Sequence, residues 1–159
     1  MDGIARFRGQ TILARVVSGE ALAADVPLSF WGGFHPSTGE IIDRRHPLAG
    51  QIATERVLVI PSGRGSCSGS GVLLEAIRDG AAPAAILTSA VDPIIALGAI
   101  LGDELYGKFP AIVILAERDR RQIVSGDHVS IDESGWVTVS RPGLPPSMAV
   151  TDSAKRTES

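Results

Sequence analysis

Three short predicted strands, separated by two segments of helical spacing, occupy the middle of this chain and constrain its fold most strongly. The strands cover 56–60, 84–87 and 111–115, and the segments at 68–79 and 92–102 carry apolar residues on one helical face. Strands that are apolar at nearly every position are typical of a parallel sheet with both faces covered. The alternation of strand and helix therefore predicts a βαβαβ unit.

The sequence on either side of this unit predicts additional antiparallel strands. Runs of β-forming residues bounded by turn residues lie at 11–17, 28–31, 40–43, 128–131 and 136–139. A segment rich in proline, serine and charge follows from 141 to 159, and such composition without periodicity is typical of a disordered tail. We therefore expect one α/β domain over residues 1–140 and a disordered tail over 141–159.

The charge and the distribution of apolar residues exclude two classes of partner. With a net charge of −3, the chain lacks the basic surface that nucleic-acid phosphates require. The longest apolar stretch is interrupted by Asp92-Pro93 before it could span a membrane, and the first residues lack the layout of a signal peptide. We therefore expect no nucleic acid and no membrane as partners, and a cytoplasmic location.

The segment 61–71, Pro-Ser-Gly-Arg-Gly-Ser-Cys-Ser-Gly-Ser-Gly, is the strongest candidate for a functional site. It joins a predicted strand to a predicted helix, so unpaired N–H groups at the helix start would point at one place. Its glycines permit close approach and positive φ, and the guanidinium of Arg64 suits a carboxylate or phosphate. Neither a Walker loop nor a dinucleotide fingerprint matches. An anion site is favoured over a simple helix start capped by Ser68 or Ser70.

Other features allow two interpretations each. Cys67 lies where a thiolate would be stabilised, but without a nearby histidine a small buried residue is favoured. Asp43 and His46 could serve acid–base chemistry, although such residues more often tie down a loop. The aromatic residues at 29–34 could form a corner of the core or an apolar patch for a partner. A single cysteine cannot hold a cysteine-ligated metal alone, so we expect no metal in this chain.

Three segments of the chain together resemble one protein family. They are Ser-Phe-Trp-Gly-Gly at 29–33, Gly-Glu-Ile-Ile-Asp-Arg-Arg-His-Pro-Leu at 39–48 and Gly-Arg-Gly-Ser-Cys-Ser-Gly-Ser at 63–70. They resemble the small swivel part of aconitase X, a branch of the aconitase superfamily of hydro-lyases, and the likeness extends from about residue 4 to about residue 140. The resemblance implies a three-layer β/β/α swivelling fold that works against a larger catalytic part, which holds an iron–sulfur cluster or iron through its own cysteines.

The resemblance also implies a role for the glycine-rich segment. The proton-abstracting serine of the family follows a Gly-basic-Gly sequence, which corresponds to Ser66 here. Ordinary aconitases use a Ser-x-Arg order, whereas the arginine comes first in this chain, so its role cannot be copied from them. We expect substrate contacts from Arg64, Gly65, Ser68, Gly32 and Gly33.

The family includes two substrate classes. Archaeal members are two-subunit mevalonate-5-phosphate dehydratases, and bacterial members resemble cis-3-hydroxy-L-proline dehydratases. Because the chain ends after one domain, it resembles a separate small subunit that is inactive without its large catalytic partner. The form of 63–70 is closer to the bacterial members, so the resemblance implies dehydration of cis-3-hydroxy-L-proline to Δ1-pyrroline-2-carboxylate. Mevalonate 5-phosphate is the alternative substrate.

The expected chemistry suits these residues. Removing water from a small hydroxy acid requires a base for the proton and a Lewis acid for the leaving hydroxyl, and the second task belongs to a metal. Ser66, at the start of a helix beside Arg64, has surroundings that would stabilise an alkoxide. The non-enzymatic alternatives are an anion-binding or partner-docking module and a phosphohistidine-type carrier domain. A carrier requires a histidine in an exposed turn, and the glycine-rich segment contains none.

Overall fold

Eight strands and four helical segments make up the part of the chain that the computed structural model describes, residues 2–65 and 67–142. In chain order they are β1 (Asp2–Arg8), β2 (Gln10–Leu13), β3 (Val17–Ala23), α1 (Phe30–Gly33), β4 (Val57–Val59), α2 (Ser68–Asp79), β5 (Ala85–Thr88), α3 (Pro93–Tyr106), β6 (Ala111–Ile114), α4 (Glu117–Arg120), β7 (His128–Ile131) and β8 (Trp136–Pro142). The prediction of a disordered tail from 141 is wrong for residues 141 and 142, which pair with β1 as the end of β8, and the rest of the predicted tail lies outside the described residues.

The predicted parallel unit forms the centre of one mixed sheet, whose strand order is β1-β8-β7-β3-β4-β5-β6-β2. Strands β3 to β6 run parallel, and the register aligns Leu58 with Ile86 and Ile86 with Ile112. These three side chains face one core cluster, which they share with Leu73 of α2 and Ile95 of α3. The two crossover helices therefore cover this face of the parallel strands.

The opposite face of the parallel strands is covered by the antiparallel part of the same sheet. Val59, Leu87 and Val113 belong to a second core cluster together with Phe7 of β1 and Val137 of β8. Successive residues of a strand point to opposite faces, so each central strand contributes to both clusters. This double burial explains the continuous apolar runs.

The sheet is nearly closed, because its two edge strands are consecutive in the chain. β1 pairs with β8 and β2 pairs with β6, with Gly9 as the only residue between them. Gly9 donates its N–H to the carbonyl of Gly135 at 3.0 Å, and a Cβ at Gly9 would lie 2.5 Å from the carbonyl oxygen of Ile114. The mixed α/β class is therefore confirmed, whereas the three-layer arrangement stays a prediction.

Three sequence-based predictions for the first third of the chain are wrong. The single strand expected at 11–17 is divided between β2 and β3, and β1 was not predicted. The strand expected at 28–31 is reduced to one parallel bridge between Leu28 and Gly63, and 40–43 forms only isolated bridges. Local β propensity does not show where pairing partners lie, and here the chain turns towards the glycine-rich segment instead.

The two long helices begin where the sequence predicts, but α3 is longer. It extends to Tyr106 rather than to about residue 102, and Gly107 ends it with a φ of +64°. Gly98 and Gly102 lie inside α3, where there is no room for a larger side chain. A Cβ at Gly102 would lie 2.8 Å from Ile77 of α2, and a Cβ at Gly98 would lie 2.9 Å from the carbonyl oxygen of Ser70. These glycines allow close helix packing and do not end α3. Within the described residues, no helix is long and apolar enough to cross a membrane.

Candidate active-site loop

The glycine-rich segment follows β4 at the carboxyl edge of the parallel strands, where the loop after β5 also lies. The N–H of Gly63 donates to Oδ2 of Asp92 at 2.8 Å. The other oxygen of this carboxylate accepts the N–H groups of Ile94 and Ile95 at 3.0 and 3.1 Å. Asp92 therefore caps α3, as its position before Pro93 predicts, and also anchors the glycine-rich loop, which the sequence did not indicate.

Different structural constraints require glycine at different positions of this loop. Only Gly65, with a φ of +107°, adopts the left-handed region, where a side chain would be strained. A Cβ at Gly63 would lie 2.6 Å from Oδ2 of Asp92, and a Cβ at Gly69 would lie 3.2 Å from the side chain of Ile94. Gly63 and Gly69 thus allow the loop and α2 to approach the start of α3.

The capping and burial of the polar side chains at the start of α2 differ from the predictions. Cys67 occupies the N-cap without a side-chain capping hydrogen bond and is exposed, so the prediction of a small buried residue is wrong. Ser70 is buried and donates its hydroxyl to the carbonyl oxygen of Ile94 at 2.7 Å, which joins α2 to α3. Ser68 is exposed. Neither serine is the N-cap, and Ser66 lies outside the described residues.

The segment around Ser29 lies directly beside the glycine-rich loop. Leu28 donates its N–H to the carbonyl of Ser62 at 3.2 Å, and its own carbonyl accepts the N–H of Arg64 at 3.0 Å. A Cβ at Gly65 would lie 2.9 Å from the hydroxyl oxygen of Ser29. Backbone hydrogen bonds of Leu28, the residue before the first family-like segment, therefore hold that segment beside the third.

The aromatic cluster is divided between the core and the surface. The rings of Phe30 and Phe34 are buried with centroids 5.2 Å apart, whereas Trp31 is 62% exposed. Non-helical dihedrals at Trp31 and a φ of +79° at Gly32 turn the chain sharply within α1. Gly33 is buried and its carbonyl accepts the N–H of Ile42 at 2.9 Å. The turn therefore fixes two phenylalanines in the core and presents one tryptophan on the surface.

The second family-like segment reaches the same place through Asp43. One carboxylate oxygen accepts the N–H of Arg45 at 3.0 Å, and the other lies 3.8 Å from a guanidinium nitrogen of Arg64. Gly33 lies beside Asp43 as well, since a Cβ there would be 3.6 Å from the Cβ of Asp43. All three segments that carry the resemblance thus meet around Arg64, whose side chain is 63% exposed.

His46 ties this segment down and is not placed for acid–base chemistry. Its ring is buried, and its Nδ1 accepts the N–H of Leu48 at 3.1 Å. The other nitrogen lies 3.1 Å from the carbonyl of Val26 and donates to it, because Nδ1 is the acceptor. Both ring nitrogens are used, which confirms the interpretation of His46 as a structural residue.

Two cavities adjoin the guanidinium of Arg64. A cleft of about 190 Å³ separates the starts of α2 and α3, and a more polar pocket of about 440 Å³ lies beside the second segment. Residues lining the cleft include Leu28, Phe30, Gly63, Gly69, Asp92 and Ile94. The polar pocket is lined by Val26, Asp43, Arg44, Arg45, His46 and Arg64. Arg64 therefore lines both the cleft and this basic pocket.

A buried arginine, which the sequence did not single out, connects the loops at the same edge of the sheet. The side chain of Arg120 is 2% exposed and donates to Ser89 at 2.5 Å and to Asp25 at 2.6 Å. Ser89 follows β5 and Asp25 follows β3, so the arginine joins the segments that lead to Asp92 and to Leu28. Its hydrogen bond lowers the pKa of Asp25 below the ordinary value.

The described residues do not fit an iron–sulfur cluster. They contain no group of three or more His, Cys, Asp or Glu side chains that could hold a metal ion. The whole sequence has one cysteine, Cys67, whereas such clusters generally take several thiolates. Any cluster associated with this chain would need ligands that this sequence does not supply.

Comparison with known proteins is consistent with this geometry. Residues 6–139 match the family described as the aconitase X swivel domain. The chain is 54% identical over 109 residues to cis-3-hydroxy-L-proline dehydratase of Pseudomonas aeruginosa, an alignment that covers 69% of this chain but only 19% of that protein. It is 34% identical over 138 residues to the phosphomevalonate dehydratase small subunit of Methanosarcina acetivorans, covering 86% of this chain and 92% of that subunit.

A solved structure supports the same relationship. The crystal structure of Thermococcus kodakaraensis aconitase X in its holo-form matches with a TM-score of 0.76 and 31% sequence identity, over 84% of this chain and 97% of that chain. The chain spans about a fifth of the length of the hydroxyproline dehydratases that it matches. From the family match over 6–139, the sequence identities and the shared fold, the chain belongs to the aconitase X swivel domain family.

Proposed function

We propose that this chain is the small subunit of a two-subunit hydro-lyase and is inactive without a large catalytic subunit. The observation that carries the proposal is the convergence of three separate segments around the exposed Arg64, beside the loop that contains Ser66. The match to nearly the full length of a phosphomevalonate dehydratase small subunit supports a separate subunit. The substrate is a small hydroxy acid.

Between the two substrate classes, we favour cis-3-hydroxy-L-proline, with Δ1-pyrroline-2-carboxylate as the product. The identity of 54% to the Pseudomonas aeruginosa dehydratase supports this choice. Mevalonate 5-phosphate is the second candidate, because the relatives of similar length are phosphomevalonate dehydratase small subunits and because arginines 44, 45 and 64 line the adjoining pocket. Both substrates carry a carboxylate.

Ser66 is the proposed proton acceptor, and Arg64 is the residue that stabilises its alkoxide. A serine hydroxyl is a weak base unless a positive group or N–H donors offset the developing charge. The carboxylate of Asp43 is 3.8 Å from the guanidinium of Arg64, which is longer than a hydrogen bond, so the donors of Arg64 remain available. Gly65, Ser68, Gly32 and Gly33 complete the proposed substrate contacts.

We assign the iron–sulfur cluster, or iron, to the large subunit. Its chemistry when bound would be Lewis-acid polarisation of the leaving hydroxyl. The isolated chain should purify under anaerobic conditions without stoichiometric iron or sulfide, since it offers a single thiol.

A swivelling motion would bring the Ser66 loop to the substrate and exclude water, which is the reason for a separate mobile domain.

Co-expression with the large subunit and assays on both substrates test the proposal. Ser66→Ala should lower kcat by at least about 100-fold, because loss of a general base costs 10²–10⁴-fold, with folding and assembly intact. Ser62→Ala is the matched control, since that serine lies in the same loop and has no proposed contact with the substrate, and it should retain most of the turnover. Ser70 is unsuitable because its hydroxyl joins α2 to α3.

Three results would contradict parts of this proposal. Full activity of an assembled Ser66→Ala complex would refute the assigned base while leaving the subunit assignment standing. Turnover of mevalonate 5-phosphate but not of cis-3-hydroxy-L-proline would refute the favoured substrate and support the second candidate. Binding of an anionic ligand to a verified complex without turnover of either substrate would favour the anion-binding module over the enzyme.

A further inference from the structure

We infer that the basic pocket lined by Arg44, Arg45 and Arg64 is a subsite for an oxyanion, a carboxylate or phosphate group of a small-molecule ligand. This inference rests on the proposed function only where it takes that ligand to be the substrate. The pocket measures about 440 Å³, which is ample for such a group, and Val26, Asp43 and His46 complete its lining. Neither Arg44 nor Arg45 is among the substrate contacts of the proposed function.

The charges in this pocket are unbalanced. Three arginines and one aspartate line it, and both ring nitrogens of His46 already have backbone partners. The side chains of Arg44 and Arg45 make no ion pair or hydrogen bond with the other residues of 2–65 and 67–142. Guanidinium groups match oxyanions through paired N–H donors, so an oxyanion is the ligand that this lining would recognise.

The backbone that carries these arginines is anchored before any ligand arrives. Asp43 accepts the N–H of Arg45 through its side chain and the N–H of His46 through its carbonyl, each at 3.0 Å. The buried His46 ring is fixed to the carbonyl of Val26. Arg64 is held from the opposite side through the carbonyl of Leu28. The two backbone segments that carry the three lining arginines are thus anchored beside one pocket, which reduces the ordering cost of binding.

The position of the subsite suits a second group of the substrate. Arg64 lines both the basic pocket and the 190 Å³ cleft beside Gly63 and Gly69. A ligand whose carbon skeleton occupies the cleft could therefore extend an anionic group past Arg64 towards Arg44 and Arg45. The subsite would then bind the anionic group of the substrate, whereas Ser66 would accept the proton.

Binding to the full chain tests the subsite without any need for turnover. Inorganic phosphate and acetate are titrated separately into ¹⁵N-labelled protein, and the Nε–H resonances of arginine side chains are followed at constant ionic strength. We expect saturable shifts for Arg44, Arg45 and Arg64 with at least one of the two anions. Phosphate alone would identify a phosphate subsite, and acetate binding would identify a carboxylate subsite.

Charge-removing variants supply the control for this titration. Arg44→Gln and Arg45→Gln should each weaken binding about tenfold, the loss expected for one charge-assisted hydrogen bond in a partly solvated pocket. Arg118→Gln removes the same charge from an exposed position on α4 and should leave the affinity unchanged. No saturable shift with either anion, or equal weakening by Arg118→Gln, would overturn the inference.

The assembled enzyme distinguishes a substrate subsite from a contact with the large subunit. Arg45→Gln should raise KM about tenfold with little change in kcat or in the affinity between subunits. Weaker subunit association with an unchanged KM would mean that the pocket docks an acidic group of the partner, which would overturn the inference. If the assembled complex dehydrates neither substrate, the proposed function fails, while the phosphate and acetate titrations still decide the subsite.

Discussion

Replacing Asp92 with asparagine should detach the glycine-rich loop while keeping a competent helix cap. One carboxylate oxygen accepts the N–H groups of Ile94 and Ile95, and the other accepts the N–H of Gly63 at 2.8 Å. The asparagine oxygen can replace one of these acceptors only. Its amide group would then direct N–H donors at the N–H of Gly63, so the loop would lose its anchor.

The expected cost follows from these contacts. A hydrogen bond to a charged group contributes about 1.5–3 kcal/mol, and the lost negative charge at the start of α3 adds about 0.3–1 kcal/mol. The free energy of unfolding should therefore fall by about 2–4 kcal/mol. For a chain of this length, each kcal/mol lowers Tm by about 2–4 °C, so a decrease of about 4–16 °C is expected.

Denaturant unfolding and hydrogen exchange measure this effect, with Asp132→Asn as the matched control. Asp132 accepts the N–H groups of Ser134 and Trp136 through a single oxygen, which asparagine retains, so that variant should change stability by less than about 0.5 kcal/mol. Amide exchange at Gly63 should accelerate only in Asp92→Asn. Equal stability of the two variants, with unchanged exchange at Gly63, would refute the double role of Asp92.

Two further predictions concern the surface and the edge of the sheet. Trp31→Ala should leave Tm nearly unchanged, because the side chain is 62% exposed, yet weaken association with the large subunit by about 30-fold or more, as loss of an interface tryptophan does. Calorimetric titration measures this affinity, and Leu105→Ala, 60% exposed on α3, is the control; equal affinities would remove Trp31 from the interface. Asp25→Asn should destabilise the chain at pH 7, because the hydrogen bond from Arg120 lowers the pKa of Asp25 below 3.8. This stabilisation is present above that value and is lost as the pH falls through the lowered pKa, so the stability gap between wild type and variant should narrow in denaturation at pH 3. A gap of the same size at both pH values would contradict the assignment.

Much of the parallel unit could be predicted from local sequence alone. The strands β4, β5 and β6 are buried on both faces, so they are apolar except for Thr88 at the end of β5, and that pattern is visible without knowledge of any partner. The start of α3 was equally visible, because Asp92 followed by Pro93 satisfies the first N–H groups of a helix locally. The glycine-rich turn was predictable as a site because glycines, hydroxyls and a guanidinium are adjacent in sequence.

Other features depended on contacts between distant residues. The predicted helical segment stopped at 102, because nothing local shows that Ile77 of α2 lies against Gly102. Cys67 was expected to be buried, but it precedes α2 at the edge of the sheet and is exposed. Arg120 belongs to a charged run, Glu-Arg-Asp-Arg-Arg, and only the fold selects it for burial between Asp25 and Ser89.

The sequence by itself therefore determined the elements whose stabilising contacts are local or repeated along one strand or helix. These are the apolar central strands, the two long helices and the glycine-rich turn between β4 and α2. Only the tertiary structure decided that the edge strands meet at Gly9 and that three distant segments converge on Arg64. The physical reason is that long-range strand pairing, ion pairs and burial depend on which surfaces the whole chain brings together, and no short segment carries that information.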